Sequence, residues 1–165
     1  MKYIDTSIII AALDSEDPRW RASRRILDGE EDKVVSELTL LELASVLNRR
    51  ENLVIALSRK LHLEKRKVIL AVLMYILRRF KLQYIRLNGL SILPGIGAIY
   101  LPMASAISMS ADAKLKTLDL LHIAYMKVLK ERGIPVTKLI TADEDFMKVS
   151  HLLERDMGIE VIMVE

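Results

Sequence analysis

The stretch KYIDTS, Lys2 to Ser7, ends a short apolar run on a carboxylate and sets two hydroxyl residues directly behind it. Lys2 to Ile4 is short, apolar and bounded by a polar break, which reads as a buried strand. Ser7 to Leu13 continues as an apolar, helix-like segment, so Asp5 stands at a strand-to-helix junction. The same unit recurs along the chain. KVVS (33–36) is a second short strand, followed by a helix from about Thr39 to Arg50, and KLIT (138–141) is a third, followed by the helical DEDFMKVSHLLERD. Strands alternating with helices specify βαβ units and a parallel sheet covered on both faces.

Between these units the pattern is largely helical. Arg19 to Leu27 is amphipathic and is closed by Asp28-Gly29. Asn52 to Leu77 is rich in Leu, Ala, Lys and Arg and fits either one helix or two. QYIRL (83–87) is a candidate strand. NGLSILPGIGAIYLP (88–102) holds three of the six glycines and two of the four prolines and reads as a loop or irregular excursion. Met103 to Asp112 and Thr117 to Lys130 are helical, the second ended by Gly133 and Pro135, and EVIMV (160–164) is a final strand.

The 165 residues fit one domain with a real core, and 52% hydrophobic content with a positive mean hydropathy excludes a disordered chain. No cysteine is present, which excludes a disulfide framework and any thiolate metal site. The longest apolar run, Val68 to Leu77, is ten residues, and a membrane span needs about 20. The first residues lack the basic region and long apolar stretch of a signal peptide. The expectation is a cytoplasmic protein with no membrane partner. Net charge is only +3, yet Ser58 to Leu87 carries nine Lys or Arg against one acid, so +8 sits there and −5 elsewhere. That asymmetry fits either a surface for an anionic partner or a helix with a solvated basic face.

Four carboxylates occupy one kind of position. Asp5 follows KYI, Glu42 sits one turn into the helix after KVVS, Asp143 follows KLIT, and Asp119 lies in the first turn of an otherwise apolar helix, in KTLDLLHIAY. Open α/β sheets bind ligands at their carboxyl edge. Each acid also has a bland role. Thr39 to Glu42 matches a capping box, Asp5 and Asp143 are acceptable N-caps, and the helix dipole favours Asp119. If the sheet gathers the four, their repulsion raises their pKa values, and a hard Mg²⁺ or Mn²⁺ relieves it. Such an ion on carboxylates supports phosphodiester hydrolysis. Absent cysteine and scarce histidine argue against zinc.

YIDTSIIIAAL followed by DPRW, then SELTLLELASVL, LKTLDLLHIAYMKVL and LITADEDF, resemble in that order the motifs of PIN-domain nucleases, particularly VapC-type toxins of toxin–antitoxin pairs. The resemblance covers Lys2 to Arg50 and Met103 to Val164. It implies a three-layer α/β/α fold, a central mostly parallel sheet flanked by helices, as one domain over 1–165. It also implies one or two Mg²⁺ or Mn²⁺ ions, RNA cleavage, a cognate antitoxin and a homodimer. Asp5, Glu42 and Asp119 would be the metal ligands, with Asp143 completing the catalytic site; Asp145 is a rival for that role. Thr6 and Ser7 would hold Asp5 or a water, and Thr141 would orient its neighbours. The long basic region at about 52–102 departs from the family pattern. A catalytically inactive RNA-binding or scaffold module is the alternative, and it would be expected to lose at least one of the four acids.

Other residues divide between two roles. His122, one turn after Asp119, could be a general base, but a lone His on an apolar helix reads as a hydrogen-bonded core residue; His62 and His151 carry no role. Trp20 with Arg21, Arg24 and Arg25 could clamp a nucleic acid, and otherwise Trp20 packs on the sheet with the arginines solvated. Met74, Tyr75 and Leu77 read as core, or as a homodimer seam. Arg78, Arg79, Lys81 and Arg86 are the expected RNA-backbone surface.

Overall fold

A computed structural model describes all residues, 1–165. Five strands, β1 (Lys2–Ile4), β2 (Lys33–Val35), β3 (Leu82–Tyr84), β6 (Lys138–Thr141) and β7 (Glu160–Met163), form one sheet in the order β3-β2-β1-β6-β7, every pair parallel. Successive residues of a strand face opposite ways, and here both faces are apolar. Tyr3, Val34 and Leu139 join one buried cluster with residues of α7 (Thr117–Glu131) and α8 (Ser150–Met157). Their neighbours Ile4, Val35 and Ile140 join a second cluster with α1 (Thr6–Leu13), α2 (Trp20–Asp28), α3 (Glu37–Arg49) and α5 (Lys65–Arg79). The result is the expected three-layer α/β/α arrangement.

The middle of the chain resolves into α4 (Glu51–Leu61) and α5, separated where His62 adopts a left-handed conformation at φ 53°. Lacking a Gly or Pro there, the sequence hides that break. The segment read as an irregular loop is instead an antiparallel hairpin, β4 (Leu90–Leu93) with β5 (Gly97–Tyr100). Its turn is Leu93-Pro94-Gly95-Ile96, with Gly95 at φ +78° and the Ile96 amide donating to the Leu93 carbonyl at 3.1 Å. Proline then glycine at those positions is the chemistry of a type II turn, so the residues that marked a loop mark a hairpin. α6 (Leu101–Met109) follows and packs on α7 through Ala106 and Ala124. The segment after β6 opens with a 3₁₀ turn at Glu144–Val149 before α8 begins. Core burial fails for Met74 and Tyr75, which are 51% and 60% exposed. Only part of α5 is needed to cover the sheet, through Ile76.

β1 lies at the centre of the sheet, with the earlier connections running to β2 and β3 on one side and the later ones to β6 and β7 on the other. The chain therefore changes direction between β1 and β6, and a crevice opens at the carboxyl ends of such strands. Asp5 and Thr141 sit at that point.

Candidate active site

Asp5 extends β1 by one more bond, its amide donating to the Ile140 carbonyl at 3.0 Å. Its side chain makes no cap bond to α1. Instead Oδ2 accepts from the Ser7 hydroxyl at 2.6 Å and the Thr141 hydroxyl at 2.7 Å. The Thr141 oxygen also accepts from the Asp143 amide at 3.0 Å, tying β1 to the segment after β6. Asp143 caps the 3₁₀ turn, its Oδ1 accepting from the Asp145 amide at 2.9 Å.

Glu42 does not close a capping box. The N-cap of α3 is Ser36, whose hydroxyl oxygen accepts from the Thr39 amide at 3.2 Å, so the helix begins earlier than the Thr39 start expected from sequence. Freed from capping, Glu42 reaches the crevice. Its Oε2 accepts from the Thr6 hydroxyl and lies 3.1 Å from His122 Nε2. Thr6 thus holds Glu42 rather than Asp5. Asp119 sits in the first turn of α7, and its Oδ2 is buried with no protein partner.

Asp5, Glu42, Asp119 and Asp143 line one pocket of about 330 Å³, together with His122 and Arg49. Within it the ligand atoms of Asp5, Glu42 and His122 lie within 4.8 Å of one another; those of Asp119 and Asp143 lie within the same distance of each other and of Asp145, which is outside the pocket lining. Asp145 is engaged by cations: Lys116 lies 2.6 Å from Oδ2, Lys148 bonds Oδ1, and the two hold its pKa at about 2. Environment pushes the acids apart. Burial raises the pKa of Asp119, and the Asp143 charge raises it further, against the opposing pull of His122 and Lys116. Burial also pushes Glu42 upward, but the hydrogen bonds from His122 and Thr6 outweigh it and leave that carboxyl below its ordinary value. Such divergence is common at working sites.

These residues fit a hard divalent ion. Asp5, Glu42 and Asp143 each have one oxygen held by the protein and the other without a protein hydrogen bond. The orphaned buried oxygen of Asp119 costs about 1–3 kcal/mol if nothing meets it. An oxygen-only set of this kind suits Mg²⁺ or Mn²⁺.

The basic residues named from sequence lie elsewhere. Arg78 and Arg79 end α5 and Lys81 precedes β3, which places them at the amino edge of the sheet, opposite the acidic pocket. Arg79 pairs with Asp28 at 2.7 Å and its guanidinium lies 5.3 Å from the Phe80 ring centre; Lys81 faces Glu30 at 3.9 Å. Arg24 also pairs with Asp28 and stacks on Phe80, so it is not merely solvated. Arg86, exposed beyond β3, is the one of the four at the carboxyl edge. The cations beside the acids are Arg49 and Lys116, which the sequence reading missed. Arg49 stands seven residues after Glu42, two helical turns on the same face, and Lys116 three before Asp119.

A second cleft, about 440 Å³, lies between α1, α3, α4 and α5; twelve of its thirteen lining residues are hydrophobic, Leu13, Leu53, Leu61 and Tyr75 among them. No helix of the protein is long and apolar enough to cross a membrane.

Residues 2–152 match the family model of the PIN domain. No curated protein matches the chain in sequence. Among solved structures, it is similar to Mycobacterium tuberculosis VapC20, a sarcin-ricin loop cleaving toxin, at 16% identity and a TM-score of 0.57, over 90% of this chain and 95% of that one. It is also similar to a chain of VapBC2 from Rickettsia felis bound to a DNA fragment from their promoter, at 13% identity and a TM-score of 0.55, over the whole of both chains. At these identities the likeness is one of fold.

Proposed function

This chain belongs to the PIN domain family, and on that premise we propose that it is a divalent-metal-dependent endoribonuclease, the toxin of a toxin–antitoxin pair. The observation that carries the proposal is the buried, unpartnered Asp119 Oδ2 in a pocket that three other carboxylates share. Asp5, Glu42 and Asp119 hold Mg²⁺ or Mn²⁺, and Asp143 completes the site directly or through water. When bound, the ion supplies Lewis acidity toward a phosphodiester oxygen and makes water a better nucleophile.

The protein's own groups do the positioning. Ser7 and Thr141 fix Asp5 by one oxygen, and Thr6 and His122 fix Glu42 by one oxygen. Each carboxylate therefore presents its other oxygen without needing to reorganise, which is where electrostatic catalysis is won. Arg49 at the pocket wall and Lys116 at its edge contact RNA phosphates, screening the acids from the polyanion.

A structured RNA is the proposed substrate, in keeping with the loop cut by the Mycobacterium tuberculosis protein. The antitoxin partner is in keeping with the Rickettsia felis pair. The apolar cleft between α1, α3, α4 and α5 is the surface that most needs cover, whether by that partner or by a second copy in a homodimer. The test is incubation of the protein with a structured RNA in Mn²⁺, beside Asp5→Asn and Asp119→Asn. Cleavage by the wild type alone supports the proposal. Mn²⁺ binding without cleavage of any RNA offered turns the reading toward an inactive RNA-binding or scaffold module.

A further inference from the structure

We propose that His122 is a positioning residue: its Nε2–H aims Glu42, and the Tyr3 hydroxyl, set against Nδ1, fixes the ring for that task. The inference rests on Glu42 being a metal ligand, as proposed above.

His122 is 2% exposed, and both ring nitrogens have a partner. Nε2 lies 3.1 Å from Glu42 Oε2 and 3.8 Å from Asp5 Oδ1, so only the Glu42 contact is a hydrogen bond. A carboxylate only accepts, and Nε2 must carry the hydrogen between them. On the other side, Nδ1 lies 2.7 Å from the Tyr3 hydroxyl. Tyr3 is wholly buried, and burial drives its acidity far down, so it remains a neutral hydroxyl. That hydroxyl is also 2.7 Å from Ser36 Oγ, the N-cap of α3. One buried chain therefore runs from Ser36 through Tyr3 and His122 to Glu42, leaving α3 at its cap and returning to the same helix six residues later. Edge-on contacts fix the plane of the imidazole, with ring centres 5.7 Å from Tyr3 and 6.4 Å from Phe146.

The consequence falls on one oxygen. Both protein donors to Glu42, Thr6 and His122, act on Oε2, so they anchor that oxygen and leave Oε1 as the atom offered to the pocket. A histidine that only packs would also have its nitrogens paired; what marks a positioning role is that Nε2 meets a pocket carboxylate, on the same oxygen that Thr6 holds. Outer partners that orient ligating groups are typically worth about 10–100-fold in metal affinity.

Two readouts test this. The first is a long-range ¹H–¹⁵N correlation spectrum of the metal-free protein, which reports where the His122 proton resides. A proton on Nε2 is expected; a bare Nε2 overturns the proposal. The second is calorimetric Mn²⁺ titration of His122→Gln, His122→Asn and Tyr3→Phe, with circular dichroism to establish folding. Gln places an N–H where Nε2 stood and Asn does not. Affinity close to wild type for H122Q and about 10–100-fold weaker for H122N is expected, with Y3F between them. Equal affinities for folded H122N and wild type overturn the proposal. If H122N does not fold, Y3F and H122Q decide, and an H122Q that loses the affinity overturns it. A wild type that takes up no Mn²⁺ refutes the nuclease reading instead, and the spectrum alone then judges the Nε2–H contact.

Discussion

Asp119→Asn is expected to stabilise the metal-free protein while abolishing its response to metal. Asp119 is a half-buried carboxylate whose Oδ2 is unpartnered and whose pKa is raised by burial and by Asp143. A neutral side chain of the same shape removes that repulsion and reduces the desolvation cost, of which about 1 kcal/mol is a conservative share. In a domain of this size that corresponds to a rise of about 2–4 °C in Tm. The sign follows from linkage: a carboxyl whose folded pKa is raised binds its proton more tightly when folded. Its penalty is therefore present at neutral pH and disappears as the pH falls through the raised value, so the advantage of Asn fades in acid. Metal reverses the order. At 100 times its Kd, Mn²⁺ adds about 2.7 kcal/mol to wild type, roughly 5–11 °C, and nothing to a variant that no longer binds. Scanning calorimetry in EDTA and in Mn²⁺, at neutral and mildly acidic pH, reads all of this. A variant less stable than wild type in EDTA, or one with an undiminished Mn²⁺ shift, refutes the reasoning.

Arg49→Glu at the pocket wall should raise the KM for RNA and weaken its salt dependence, whereas Arg79→Glu, paired with Asp28 at the opposite edge, should leave RNA affinity unchanged and alter stability by less than about 1 kcal/mol; parallel binding titrations at two salt concentrations compare them. Phe80→Ala removes a 1% exposed ring that fills the core and seats two guanidiniums, and denaturant unfolding should show a loss of about 3–5 kcal/mol. Tyr3 and Tyr125 both have pKa values raised by burial, so the folded state retains protons that the unfolded tyrosines lose near pH 10. Stability should be intact below about pH 10 and fall above it, and Tyr3→Phe should flatten that fall in alkaline unfolding curves.

The fold was legible because its strands are short apolar runs ending at polar breaks, the signature of a parallel sheet covered on both faces. Tyr3 and Ile4 lie in two different cores, a fact that the unbroken apolar run announces. The acids were legible for a related reason, since Asp5 and Asp143 follow strands whose carboxyl ends meet at the point where the sheet reverses direction. Less legible were features that local signals do not encode. His62 ends a helix in a conformation usually left to Gly or Asn, and Pro94-Gly95 reads equally as a loop or a hairpin until the strands on either side pair. His122 reads as core, and it is buried, but nothing in an apolar helix reveals that its ring faces Glu42, eighty residues earlier in the chain. Three of the four cations expected to bind RNA lie at the edge away from the acids, because charge along a sequence does not say which edge of the sheet it reaches. Arg79 and Lys81 precede a strand and so stand at its amino end, while Arg49 follows an acid by two turns and stands beside it.

The proposed chemistry requires that the four carboxylates hold a metal. Anomalous diffraction from crystals grown with Mn²⁺ tests that most directly. A peak bounded by Asp5, Glu42, Asp119 and Asp143, absent from crystals of Asp119→Asn, is the predicted result. Ordered density for all four side chains with no peak among them at saturating Mn²⁺ would contradict it.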